Sequence, residues 1–159
     1  MRKLIVVKQL SLKYGDELAE ILSTDKKLHK ELSPNSKLTT INGLEYVQGC
    51  TKWETKKRGR CFAIVKNDRA VGSISFVHKD DEIASLGYWI KSDAWGQGIC
   101  TQAFKQMLLI VKELGYASVT ASILKENIAS KKIWEKYNAT FKEDDERYYP
   151  IIKLTYCAS

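Results

Sequence analysis

The stretch Gly87-Tyr88-Trp89-Ile90-Lys91-Ser92-Asp93-Ala94-Trp95-Gly96-Gln97-Gly98-Ile99-Cys100-Thr101-Gln102-Ala103-Phe104 changes its period halfway along. Residues 83–90 read as an apolar β-like run. From Ile99 onward, Ile99, Ala103, Phe104, Met107, Leu108, Val111 and Leu114 recur at helical spacing. Between the two stands Gly96-Gln97-Gly98. A strand that passes through a glycine turn into a helix aims free backbone N–H groups at one point, where the helix dipole adds partial positive charge. Glycine at 96 and 98 removes the Cβ atoms that would hold a phosphate away. The junction is either an anion cradle or a plain chain reversal, and its surroundings have to decide.

Residues 4–10 read as a first strand, and 14–23 as a short amphipathic helix through Leu18, Ile21 and Leu22. A lysine-rich stretch, 25–37, holds the loop signal Ser33-Pro34-Asn35-Ser36. Residues 40–57 read as a helix with Ile41, Leu44, Tyr46, Val47 and Trp53 apolar, weakened by Gly43 and Gly49. Strands at 60–66 and 70–78, joined by Asn67-Asp68-Arg69, continue into 83–90 as an antiparallel meander. The helix that begins after the glycine pair stops at Gly115. Then come a β-branched strand at 117–124, a helix at 127–137 with Ile133, Trp134 and Tyr137 inward, and a strand at 148–156. One strand–helix–strand crossover in an otherwise antiparallel order predicts a mixed α/β sheet, not a doubly wound one.

At 159 residues, 1–159 is read as one domain able to bury its own core. No apolar run approaches the ~20 residues needed to span a bilayer, and the apolar start at Leu4-Ile5-Val6-Val7 is too short for a signal peptide, which predicts a cytoplasmic protein. The cysteines Cys50, Cys61, Cys100 and Cys157 form no CxxC pair and have no neighbouring histidine, so free thiols and no metal are expected. The net charge of +7 fits either a solvated basic surface or attraction to a polyanion. No zinc-finger, basic-zipper or RNP motif supports nucleic acid as that partner.

A dinucleotide fingerprint would need a third glycine where Thr101 stands and an acidic residue about twenty positions on, which is missing. The other phosphate-binding reading rests on Gly87-Tyr88-Trp89-Ile90 with Trp95-Gly96-Gln97-Gly98-Ile99-Cys100-Thr101-Gln102-Ala103. These segments resemble the acetyl-CoA pyrophosphate loop of GNAT-superfamily N-acetyltransferases, in particular the RimJ/RimL-type branch that includes ribosomal-protein N-terminal acetyltransferases. Asn127-Ile128-Ala129-Ser130 and Trp134-Glu135-Lys136-Tyr137-Asn138-Ala139-Thr140-Phe141 resemble the branch's second segment. The resemblance implies a GNAT fold: a mixed, mostly antiparallel sheet with flanking helices, whose parallel pair, here 83–90 and 117–124, splays apart to admit the pantetheine arm. It implies acetyl transfer from acetyl-CoA to a primary amine, either a protein N-terminus or a small amine such as a polyamine or an aminoglycoside. A homodimer would be in keeping with it.

The same resemblance assigns roles. Backbone amides of Gln97, Gly98, Ile99, Cys100 and Thr101, in the loop opened by Trp95 and Gly96, would hold the pyrophosphate. Trp89, Ile90 and Lys91 would offer backbone groups to pantetheine. Asn127 would contact the cofactor at the splay while capping its helix, and Lys131 or Lys132 would reach the ribose phosphate. Ser130 would donate a proton to the leaving thiolate, because Trp134 occupies the position of the tyrosine many relatives use and its indole is no useful acid. For the base, Glu82, Tyr88, a water chain and Glu143, placed near the end of the 127–137 helix, are all open, since Ser85 stands where the branch often has glutamate. Ser85 and Trp134 also favour an alternative, a catalytically silent acyl-CoA-binding module. Cys100 replaces a small Gly or Ala of the family loop and puts an oxidisable thiol beside the cofactor.

Overall fold

The computed structural model describes residues 4–154. Strand β1 (Ile5–Gln9) leads into helices α1 (Leu12–Thr24), α2 (Lys26–Leu32) and α3 (Gly43–Lys57). The meander β2 (Gly59–Lys66), β3 (Arg69–His78) and β4 (Ile83–Ile90) follows, then a 3-10 turn at Ser92–Ala94 and helix α4 (Ile99–Glu113). Short strands β5 (Ser118–Thr120) and β6 (Ile123–Leu124) precede helix α5 (Ile128–Lys136) and strands β7 (Thr140–Glu143) and β8 (Arg147–Lys153). Among the described residues the strands form one eight-stranded sheet in the order β1-β2-β3-β4-β5-β8-β6, with β7 on the other side of β8.

Strand alternation divides the core between two faces. On one, Ile64, Ile74 and Phe76 pack with Phe104, Met107 and Val111 of α4 and with Ile133 and Trp134 of α5. On the other, Ala63, Val65 and Ala70 pack with Tyr14 and Leu18 of α1. Helix α4 also guards an edge strand. The Gln106 Oε1 accepts from Val7 N at 2.8 Å, and its Nε2 donates to Ile5 O at 2.6 Å, so part of the outer ladder of β1 is occupied.

The feature that positions the site is the short stitch between the sheet's halves. β4 and β5 run parallel but pair only at Ile83–Ser118, Ala84–Val119 and Ser85–Thr120. Beyond Ser85, β4 stays with β3, whereas β5 and β6 follow β8. Lys91 N donates to Val71 O, so antiparallel alternation turns the backbone groups of Lys91, Trp89 and Gly87 toward β3. Those of Leu86, Tyr88 and Ile90 face the opening.

The mixed α/β class, the meander, the crossover and the splayed pair all match the sequence expectation. Beyond shifts of a few residues at element ends, four features differ. Residues 26–32, given no element in the sequence reading, form α2: Asp25 caps it by accepting from Leu28 N, and Leu28 is its one buried residue. The strand expected at 117–124 is broken at Ala121-Ser122 into β5 and β6. Glu143, expected near the end of the 127–137 helix, instead closes strand β7, where its carboxylate pairs with Lys125 Nζ at 3.3 Å. The final strand ends at Lys153, and the rest of 148–156 and Cys157 extend outside the described residues.

The glycines that weakened the 40–57 helix have different physical roles. Helix α3 begins at Gly43 with a capping box made by Asn42 and Glu45. A Cβ on Gly43 would lie 1.7 Å from Asp16 Oδ1 and 2.8 Å from Asp16 Cα, so its absence lets α3 press against α1, whereas a Cβ on Gly49 meets nothing within 4 Å. Gly43→Ala should therefore destabilise by about 1–3 kcal/mol. Gly49→Ala in the same helix should stabilise by about 0.5–1 kcal/mol. Denaturant midpoints of the two variants measure the opposite signs directly.

Candidate active site

The glycine loop lies at the N-terminus of α4. Gly96 and Gly98 take φ of +78° and +75°, backbone that L side chains rarely adopt, and a Cβ at either position would meet no atom within 4 Å. Packing does not require these glycines; the turn conformation does, and the space above them is open. Gly98 caps α4 without a side-chain hydrogen bond, and no acidic residue stands in the first turn. The first internal bond at this end runs from Gln102 N to Gly98 O, which leaves the N–H groups of Ile99, Cys100 and Thr101 available to an anion.

Neighbouring side chains fasten the loop to the sheet. Trp95 Nε1 donates to Ile90 O at 2.8 Å, which ties the loop to the open edge of β4. Gln97 accepts from Lys66 Nζ at 3.1 Å, and Lys91 pairs with Asp93 at 3.5 Å. On the other side, Asp25 accepts from the backbone N–H and the hydroxyl of Ser92, both at 2.7 Å. Burial works to raise the Asp25 pKa, but these bonds and the one from Leu28 N outweigh it and hold the carboxyl below the ordinary range. The start of α2 is thereby latched to the end of β4.

Past the last parallel pair, Tyr88 reaches from β4 to α5. Its hydroxyl shares a hydrogen bond with Ser130 Oγ and accepts from Trp134 Nε1 at 3.0 Å. Phe104 of α4 wedges against this group, with ring centroids 6.1 Å from Tyr88, 5.0 Å from Trp134 and 5.4 Å from Tyr137. Asn127 caps α5 by accepting from Ser130 N at 3.1 Å, which sets the serine one turn inside the helix. Burial pushes the Tyr88 phenol up to about 12, against the hydrogen bonds from Ser130 and Trp134. Tyr88 therefore keeps its proton at neutral pH, which suits a donor and not a base.

The structure thus brings Tyr88 and Ser130 together and places Asn127 beside them. It does not bring Glu82 to them. Glu82 is exposed before the first residue of β4, six positions and about 20 Å along the strand from Tyr88. Its carbonyl accepts from Ala117 N and Ser118 N, a structural role at the closed end of the parallel pair. Of Trp89, Ile90 and Lys91, only Ile90 turns its backbone to the opening, and its carbonyl is taken by Trp95. Tyr88 and Leu86 present theirs instead, a parity that the strand register could have revealed. Lys131 lies over the Tyr148 and Phe141 rings at 4.5 and 5.5 Å, whereas Lys132 is exposed. Trp134 was set aside from sequence as no acid, yet its N–H orients Tyr88.

The family model for the acetyltransferase (GNAT) domain matches residues 6–140. The chain belongs to that family, and it is an acetyltransferase in class, as its motifs led us to expect. No curated protein matches it significantly by sequence. Several solved structures share the fold over nearly the whole chain. RimL, a ribosomal-protein alpha-N-acetyltransferase in complex with coenzyme A, superposes with a TM-score of 0.75 at 15% identity, covering 94% of this chain and 93% of its own. Mycobacterium smegmatis RimJ, in complex with a CoA disulfide, gives 0.75 at 17% identity over 94% and 81%. YncA from Salmonella typhimurium with acetyl-CoA gives 0.72 at 12% identity over 98% and 96%. Among the described residues of the present chain, no helix is long and apolar enough to cross a membrane.

The thiols differ sharply in environment. Cys100, in the first turn of α4, is pushed up to about 12 by burial. Cys50 accepts from the Cys61 thiol, which with Tyr46 draws it down to about 7 against burial, while that same hydrogen bond and burial push Cys61 well up. Near neutral pH Cys50 therefore has the larger thiolate share and Cys100 stays a thiol. Iodoacetamide should therefore modify Cys50 well before Cys61 or Cys100, as read by peptide mass mapping over time. Loss of coenzyme A binding should track the Cys100 adduct alone, and Cys100→Ala should keep binding throughout the same treatment.

Proposed function

We propose that this chain transfers an acetyl group from acetyl-CoA to a primary amine, as a RimJ/RimL-type enzyme acting in the cytoplasm. The observation that carries the reading is the Trp134–Tyr88–Ser130 hydrogen-bond chain, standing where β4 and β5 part and next to an uncapped helix N-terminus. The fit to acetyl-CoA rests on the chain's own groups. The free N–H groups of Ile99, Cys100 and Thr101, with those of Gln97 and Gly98, would hold the pyrophosphate. The open-edge backbone of Tyr88 and Leu86 would pair with the pantetheine amides, as a third strand would. Asn127 caps α5, and Lys132 of the same helix is exposed. When bound, acetyl-CoA supplies the activated acetyl thioester and a thiolate leaving group.

The side chains divide the proton work. Trp134 N–H donates to the Tyr88 oxygen. That orients the Tyr88 O–H toward Ser130 Oγ and leaves the Ser130 O–H free to donate into the opening. The buried phenol keeps its proton at neutral pH, so the chain offers a hydrogen bond to a developing thiolate without itself ionising. With Tyr88 protonated and Glu82 at the closed end of the parallel pair, water is the base this reading assigns to the amine's proton. Near the C-terminal end of β4, a pocket of about 290 Å³ lined by Leu22, Asp25, His29, Leu32 and Ile41 lies on the side where an acceptor would approach. It supports a small amine or the first residues of a peptide as the acceptor.

The test is release of free CoA thiol with two acceptor pools, peptides with free N-termini and small polyamines or aminoglycosides. Ser130→Ala should lower kcat about 100-fold with the KM for acetyl-CoA nearly unchanged, because the hydroxyl acts on the leaving group and not on cofactor binding. Undiminished kcat in Ser130→Ala would remove serine from the chemistry. Binding of acetyl-CoA with no turnover in either pool would overturn the enzyme reading in favour of a silent acyl-CoA-binding module.

A further inference from the structure

At the end of the sheet away from the splay lies a second concavity, of about 380 Å³, with Arg58, Arg60, His78, Asp81, Leu114 and Tyr116 in its wall. Its volume is within the roughly 300–1,000 Å³ range of small-molecule sites. Three observations mark it as more than a surface dent. First, Arg58 ends α3 in the left-handed region, φ 55°, a conformation that favours glycine and is strained for arginine. Second, Gly59 between the two arginines has no room for a Cβ, which would lie 2.1 Å from Phe76 O, so β2 starts hard against β3 with an arginine on either side of the contact. Third, His78 is held in place: Nδ1 and the Tyr116 hydroxyl share a 2.8 Å hydrogen bond, Nε2 lies 3.5 Å from Asp81 Oδ1, and the His78 backbone N–H donates to Arg58 O at 3.2 Å.

The charges in this pocket are unbalanced. Arg69 has Glu17 at 3.3 Å and Arg147 has the Ser122 hydroxyl, but among the described residues neither Arg58 nor Arg60 has an ion-pair or hydrogen-bond partner for its guanidinium. The opposing groups are one exposed carboxylate, Asp81, and the C-terminal carbonyls of α4, which are weaker than two full positive charges. Leu114, 49% exposed, and the Tyr116 ring supply an apolar wall beside the cationic one. We infer that this pocket binds a small organic anion, its carboxylate or phosphate on Arg58 and Arg60 and its apolar body against Leu114 and Tyr116. Such a site is separate from the acetyl-CoA loop, at the opposite end of α4, and does not depend on how the transfer chemistry is assigned.

The experiment titrates the full chain with phenyl phosphate, phenylacetate and the neutral benzyl alcohol, following amide resonances of Gly59, Gly115 and Gly98. At least one anion should move Gly59 and Gly115, bind ten or more times tighter than benzyl alcohol, and keep its affinity when CoA is saturating. Which of the two binds tighter distinguishes a phosphate from a carboxylate ligand. The double variant Arg58→Gly/Arg60→Ala should weaken that binding tenfold or more while leaving CoA affinity unchanged. Glycine relieves the left-handed strain at 58, so loss of fold is not expected to confound the result. The inference fails if the anions shift Gly98 and are displaced by CoA, if benzyl alcohol binds equally well, or if the double variant binds as the parent does.

Discussion

The sheet holds together at its centre by three residue pairs, and everything distinctive about this molecule follows from how few they are. β4 is committed to β3 along its whole length, while β5 is committed to β8. Thr120 makes the second commitment firm: its hydroxyl donates to Pro150 O at 2.7 Å, in a buried position where β8 has no proline N–H to offer. The strand then breaks at Ala121-Ser122 and resumes as β6, still on β8. With both strands pulled toward opposite partners, the parallel pairing stops at Ser85 and Thr120. Glu82 O, accepting from Ala117 N and Ser118 N, closes the base of the wedge. The result is a cleft inside a sheet, lined by backbone groups that an unbroken ladder would have consumed.

Such a cleft has a cost, because buried polar groups need partners. The chain meets it with aromatic donors. Trp95 covers the Ile90 carbonyl, Trp134 supplies the Tyr88 oxygen, and Ser130 shares the Tyr88 hydroxyl. Phe104 fills the space between the rings, so that the polar contacts stand in a fixed apolar frame. The same burial that fixes the geometry keeps Tyr88 protonated. Structure and proton inventory are therefore one arrangement: removing water from the phenol makes it a reliable donor, and two further hydrogen bonds tell it where to point.

Periodicity made much of this legible. The long apolar spacing of α4, the meander and the position of the glycine pair are local patterns, and each appears where its period predicted. The glycine loop was readable for the same reason, since Gly96 and Gly98 mark positive-φ positions with no packing demand. Two kinds of feature escaped. Helix α2 buries only Leu28 over two turns, too little for a helical period to emerge from Lys26-Lys27-Leu28-His29-Lys30-Glu31-Leu32. The contact between Tyr88 and Ser130 joins residues 42 apart, and nothing in either neighbourhood announces the other. Trp134 was misleading in a more instructive way. Judged as an isolated acid it has no function, but as a third member of a hydrogen-bond chain it sets the orientation of the tyrosine. The distance from Glu82 to Tyr88 is likewise a matter of strand position, which was available from a count along β4.

Helix α4 connects the two ends of the molecule, and its dipole treats them differently. At its N-terminus the unpaired N–H groups carry about half a positive charge, so a phosphate held there would need no lysine or arginine in the loop itself. The loop can then be built from glycine and uncharged residues, which let the backbone come close. At its C-terminus, by Leu114 and Gly115, the same dipole presents about half a negative charge and would repel an anion. Any anion site there must bring full positive charges from elsewhere, and the two guanidiniums flanking Gly59 are charges of that kind. Their lack of carboxylate partners among the described residues, which makes little sense for stability, is what overcoming the helix end requires. One helix thus sets the terms at both ends: an anion at its start can be held by backbone, whereas an anion at its end must be held by side chains.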